Sequence, residues 1–215
     1  MGYNAGLNIT TGERNIIIGA WAGLATTDAD SSVIIGQGAC EGGNVSVDGT
    51  VAIGRSALAA LTSGVGNTAV GYQALKAETD GTNNVALGHS ALTALTSSTR
   101  NVALGKGAME LMDDTADGLA DCIAIGYEAF KGSATATTTG AAGTTAIGTQ
   151  ALYALTTGDG CTAIGFNAMD VNTTSGKCTA VGYDALGAVT TGGVSAGNTA
   201  VGYDAGLGIT SGVYS

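Results

Sequence analysis

The side chains able to do chemistry are few, and their spacing narrows what they could do. The single histidine, His89, stands at the variable position after Gly88, so a surface role fits it better than general acid–base work. Asp113, Asp114, Asp117 and Asp121 crowd one stretch. Their oxygens are weak candidates for a Ca²⁺ site, but the spacing matches neither an EF-hand loop nor a Gly-Gly-x-Gly-x-Asp calcium repeat, and a solvated acidic loop explains them more simply. The remaining acids are scattered rather than paired as a glycosidase needs. Gly176-Lys177-Cys178 lacks the upstream glycine of a phosphate loop. The four cysteines show no Cys-x-x-Cys or Cys/His zinc spacing. No catalytic residue and no cofactor are therefore expected.

Composition explains what the chain offers instead. Of 215 residues, 37 are glycine and none is proline, while aromatic residues make up 5% and charged residues 11%. So few large side chains cannot fill a thick core, and the interior must be thin. Collagen is excluded by the lack of proline and of a three-residue glycine period. Positive mean hydropathy, +0.29, argues against disorder. No apolar run is long enough for a membrane helix, and the start lacks a signal-peptide pattern. A net charge of −10 disfavours nucleic acid as a partner.

The glycines carry a repeat. Asn67-Thr68-Ala69-Val70-Gly71-Tyr72-Gln73-Ala74-Leu75 is a clean copy. Equivalent glycines stand at 2, 19, 36, 54, 71, 88, 105, 126, 148, 165, 182 and 202, mostly 17 residues apart, and an alanine follows each by three. Seventeen residues are too few for a helix-pair repeat or a propeller blade but suit one coil of a parallel β-solenoid. The expected fold is all-β: a β-roll of about twelve 17-residue coils forming one repeat solenoid over 1–215, roughly 55 Å long at about 4.8 Å per coil.

The three residues before each glycine read as a strand. Ile18, Ile35, Ile53, Val70, Leu87, Leu104, Ile125, Ile147, Ile164, Val181 and Val201 immediately precede the glycine, and the residues one step earlier are mostly alanine. One strand face is bulky and the other smooth. Neither is polar, so both should be covered, one by the coil's other limb and one by a neighbour. The bulky column is expected at coil or oligomer contacts. After the glycine, apolar residues at +3, +4 and +7 fit either a single helical turn or a second strand.

Two further columns stand out. Four residues before the glycine lie Asn15, Asn67, Asn84, Asn101 and Asn198, with Ser, Thr and Cys between, a candidate hydrogen-bonded ladder along the stack. Cys161 and Cys178 are neighbours in it, and a disulfide between them is open on distance. Directly after the glycine come Tyr72, Tyr127, Tyr183 and Tyr203, with Tyr3 and Phe166. These rings are candidate receptor contacts by stacking on sugars, although packing at coil edges is the simpler reading.

The run Asn-Thr-Ala-Val-Gly-Tyr-x-Ala-Leu resembles repeats of bacteriophage tail fibres and related virion fibres. More distantly it is similar to the head repeats of YadA-like trimeric autotransporter adhesins. The resemblance spans essentially the whole chain, although the adhesin period is shorter than 17. It implies a homotrimer of β-rolls whose strand residues pack on partner chains, a virion or extracellular location, and attachment or scaffolding without catalysis. The partners it implies are the chain itself, virion proteins and a cell-surface glycan.

The longer spacings place insertions at 110–121, 132–143 and 187–197, the first places to seek specific recognition. The first and last coils are closely alike, and neither is a polar cap, which is expected of an excised fibre segment or of subunits stacking into a filament. An ice- or carbohydrate-binding solenoid is the competing reading, because Thr10, Thr62, Thr79, Thr96, Thr156, Thr173, Thr190 and Thr210 stack. They stand in Thr-Thr or Thr-Ser pairs, however, without the alternation a flat array needs.

Overall fold

The computed structural model describes residues 2–42, 47–112, 119–133, 141–188 and 197–209. It is an all-β parallel solenoid. Eleven three-residue strands run from β1 (Ile16–Ile18) through β5 (Val85–Leu87), β6 (Val102–Leu104), β9 (Thr162–Ile164) and β10 (Thr179–Val181) to β11 (Thr199–Val201). They form one sheet in strict sequence order. Every pairing is parallel and in register: Ala69 stands beside Ala86, and Ala86 beside Ala103. The 18-, 20-, 21- and 22-residue spacings leave this register intact, so extra residues are absorbed outside the strands. The rung count is eleven rather than twelve, because only Met1 precedes the Gly2 corner.

The repeat glycine ends each strand. Gly88 has φ +146°, and a Cβ placed on it would lie 2.4 Å from the Gly105 carbonyl oxygen of the next coil. No side chain fits there at the sheet spacing, which is why glycine holds this corner.

The second limb is neither helix nor strand. It is two consecutive tight turns. In coil 5 the Ala91 N–H donates to the Gly88 carbonyl, and in coil 4 the Glu78 N–H donates to the Leu75 carbonyl. The residues two and four places after the glycine take positive φ, as with Ser90 (56°) and Leu92 (54°). A left-handed leucine is strained. Its backbone is held by the Leu92 N–H bond to the Ala108 carbonyl of the next coil, and the arrangement recurs along the stack.

The core is one side chain thick, and in most coils a small residue meets a large one. The middle strand residue points inward and meets the residue four places after the glycine. Ala69, Ala86 and Ala103 face Leu75, Leu92 and Met109, all with 0% exposure. In the first and second coils the sizes reverse. Ile17 stands with Gly23, and Ile34 with Cys40; a Cβ on Gly23 would sit 3.4 Å from both isoleucine Cδ1 atoms. Large opposite small keeps packing dense in a fixed space.

Candidate interaction surface

The strand pleat separates two apolar columns. The smooth column, Ala52, Ala69, Ala86, Ala103, Ala124, Ala146, Ala163 and Ala180, is fully buried. The bulky column, Ile18, Ile35, Ile53, Val70, Leu87, Leu104, Ile125, Ile147, Ile164, Val181 and Val201, lies on the outer face and is half-buried or exposed. Within the chain the coil-packing role therefore falls to the alanines. Ile16, Val85 and Ile123, at the first strand position, share the outer face. Leu87 is 44% exposed and Leu104 39%. At about 4.8 Å per strand, eleven rungs make an apolar stripe roughly 50 Å long.

Beside that stripe runs the column that follows the glycine. Phe166, Tyr183 and Tyr203 stack on one another with centroids 5.1 and 5.3 Å apart and interplanar angles of 11° and 17°. Tyr72 stacks on His89 at 4.9 Å, with the Arg55 guanidinium 6.0 Å from the Tyr72 centroid. The Lys106 ammonium lies 5.6 Å from the Tyr127 centroid. His89 is thus exposed and ring-stacked. Sugar stacking needs free ring faces, and in these rows a neighbouring ring or cation already lies over a face of Tyr72, Tyr127 and Tyr183. Tyr203 is 74% exposed.

The Asn column forms hydrogen bonds along the stack, mostly to backbone. Asn84 Oδ1 accepts from the Asn101 N–H at 3.0 Å, and Asn84 Nδ2 donates to the Ser98 carbonyl at 2.7 Å. Asn15, Asn67 and Asn101 repeat this bridge. Asn101 Nδ2 also donates to Asn84 Oδ1 at 3.2 Å, an amide–amide contact along the stack. Asn198 is buried in the same column. Ser32 fills the role with its hydroxyl, donating to the Val47 carbonyl and accepting from the Thr50 N–H. The cysteines here also donate to backbone carbonyls, and all four are free thiols. Burial pushes the Cys40 thiol up to about 12 and Cys122 up to about 11.

The threonine column is spent internally. The Thr10, Thr62, Thr79 and Thr156 hydroxyls each donate to the equivalent carbonyl of the next coil. Thr190 and Thr210 lie outside the described residues.

Asp113, Asp114 and Asp117 also lie outside them, as do the middles of the three insertions. Asp121 is exposed and forms a two-pronged pair with Arg100, at 2.6 and 2.8 Å; the guanidinium hydrogen bond holds its carboxyl below the usual range. Among the described residues no three His, Cys, Asp or Glu side chains gather as a metal site, and no helix is long and apolar enough to cross a membrane.

Two buried polar groups escape a sequence reading. Glu78 and Asn172 occupy the +7 position where Leu61, Leu95 and Leu155 stand in other coils, and both are fully buried. Glu78 Oε1 accepts from the Gly81 N–H at 2.7 Å, and Asn172 Oδ1 from the Ser175 N–H at 3.0 Å. Each closes the turn three residues on. The shared spacing of acceptor and turn was the available signal.

Comparison with known proteins returns no match from protein-family models, curated proteins or solved structures.

Proposed function

We propose that the chain is a non-enzymatic structural module of a virion or extracellular fibre, assembled as a homotrimer through the outer faces of its strands. The observation that carries this reading is the uncovered aliphatic stripe. A stripe about 50 Å long and roughly 10 Å wide offers on the order of 500 Å² per chain. That is as large as the biggest apolar patch on most monomers. Two such faces together approach the roughly 1,000 Å² that a specific interface needs.

The likeness of the repeat to phage-fibre and YadA-like sequences supports attachment as the purpose, with virion proteins or a cell-surface glycan as outside partners. The stacked aromatic column would form the rim of the interface, which suits rings that already cover one another. The rod supplies reach and stiffness. Glycan recognition falls to the insertions at 110–121, 132–143 and 187–197. Filament formation by end-to-end stacking is the alternative assembly.

Negative-stain electron microscopy of the purified protein tests the reading. Straight rods about 50 Å long and thicker than one coil are expected. Slender single-chain particles or amorphous aggregates would refute it.

A further inference from the structure

Cys161 and Cys178 occupy consecutive rungs immediately before β9 and β10. The strands they lead into are in exact register, Thr162 beside Thr179, and the Thr162 N–H donates to the Cys178 carbonyl at 2.8 Å. One strand spacing of about 4.8 Å therefore separates their backbones, inside the roughly 4.4–6.8 Å Cα window of a disulfide. Both side chains point into the coil and converge on one dipeptide. Cys161 Sγ donates to the Ser175 carbonyl at 3.2 Å, and Cys178 Sγ to the Gly176 carbonyl at 3.4 Å.

The other two thiols have no such neighbour. Cys122 stacks between Asn101 and Thr144, with Thr144 separating it from Cys161. Cys40 belongs to a different column, in the core opposite Ile34. We propose that Cys161 and Cys178 are a modification site, forming a disulfide that staples coil 9 to coil 10 when the protein meets a small-molecule disulfide such as oxidised glutathione.

The ionisation of the pair fits this order of events. When Cys178 ionises, its thiolate can accept a hydrogen bond from the Cys161 thiol, which lowers the first ionisation, at Cys178, and raises the second, at Cys161. Cys178 thiolate attacks one sulfur of oxidised glutathione, forming a mixed disulfide and releasing one glutathione thiolate. Cys161 loses its proton to water and attacks the Cys178 sulfur, forming the Cys161–Cys178 bond and releasing the second glutathione. Two protein thiols are oxidised and one glutathione disulfide is reduced. Both sulfurs are buried, so exchange waits on local opening of the coil and is slow. The bond closes the loop from Cys161 to Cys178 and constrains the unfolded chain. The proposal is independent of the fibre reading.

Trypsin separates all four cysteines, because cleavage at Lys177 leaves Cys161 in 132–177 and Cys178 in 178–215, with Cys40 in 15–55 and Cys122 in 107–131. The folded protein is incubated with oxidised glutathione, unfolded in N-ethylmaleimide, digested without reductant and analysed by mass spectrometry. The expected result is one cross-linked pair, 132–177 with 178–215, maleimide on the other two cysteines, and a raised melting midpoint. Cys161→Ser should leave Cys178 carrying glutathione or maleimide, with no cross-link. Maleimide on all four cysteines after exhaustive oxidation, glutathione adducts alone in the wild type, or a cross-link to Cys40 or Cys122 would overturn the proposal.

Discussion

Coil 5 holds two leucines five residues apart with opposite fates. Leu92 is fully buried and held in a left-handed turn, facing the smooth alanine column, whereas Leu87 stands on the outer face at 44% exposure. In an ordinary globular protein the larger side chains fill the interior. Here nine of the eleven strands turn an alanine inward, and all eleven turn a leucine, valine or isoleucine outward. The difference teaches that the fold spends only part of its apolar side chains on itself. The inner column sets the coil's thickness, and the outer column is left uncovered by the chain itself.

The largest expected effect separates these two leucines. Leu92→Ala removes a buried side chain between Leu75 and Met109 and should cost about 2–5 kcal/mol in urea unfolding. Leu87→Ala, measured at a concentration where chains are separate, should change stability by less than about 1 kcal/mol. Equal losses would break the comparison. Next comes the bridge between coils. Asn84→Leu strips the Asn101 N–H and the Ser98 carbonyl of buried partners and should cost about 2–4 kcal/mol, whereas Asn84→Ser should recover part of that loss, as Ser32 does in its own coil.

The register and strand positions were legible, because a 17-residue glycine period and three aliphatic or small residues before each glycine have few other solutions. The inward direction was not. Both columns are apolar, and hydrophobicity alone favours the bulky one as core. What reverses this is the other limb, where Leu75, Leu92 and Leu152 already fill the coil and leave room only for alanine. The limb itself was misleading for a related reason. Spacing of +3, +4 and +7 imitates a helix, but here left-handed residues at +2 and +4 turn the side chains inward. Those φ angles were only faintly written: Gly6, Gly23 and Gly206 occupy the +4 position, yet Leu58 and Phe130 adopt the same sign. Of the candidate surface, the columns could be read from the sequence, but the mutual covering of the aromatic rings could not, because it depends on rotamers.

The volume rule sharpens the comparison at a smaller scale. Ala69→Ile overfills coil 4, and Leu75→Cys hollows it, each costing about 1–3 kcal/mol. The double variant copies the Ile34–Cys40 coil and should recover about 1 kcal/mol relative to the sum in a double-mutant cycle. Strict additivity would contradict the compensation.

The smallest effect is electrostatic. A hydrogen bond from Lys131 at 2.7 Å holds the Glu128 carboxyl below its usual range. Its stabilisation is therefore present above the unfolded value near 4.3 and is lost as pH falls through the lower folded value. Lys131→Met should cost less than about 1 kcal/mol at neutral pH, with the difference from wild type shrinking in thermal melts below about pH 4.

The central claim is that the outer aliphatic column is covered by further copies of the chain. Sedimentation equilibrium of the wild type beside the Leu87→Asp/Leu104→Asp variant tests it most directly. The account predicts a trimer for the wild type and folded single chains for the variant, with circular dichroism unchanged. A wild type that sediments as a folded single chain, or a variant whose mass equals that of an oligomeric wild type, would contradict it.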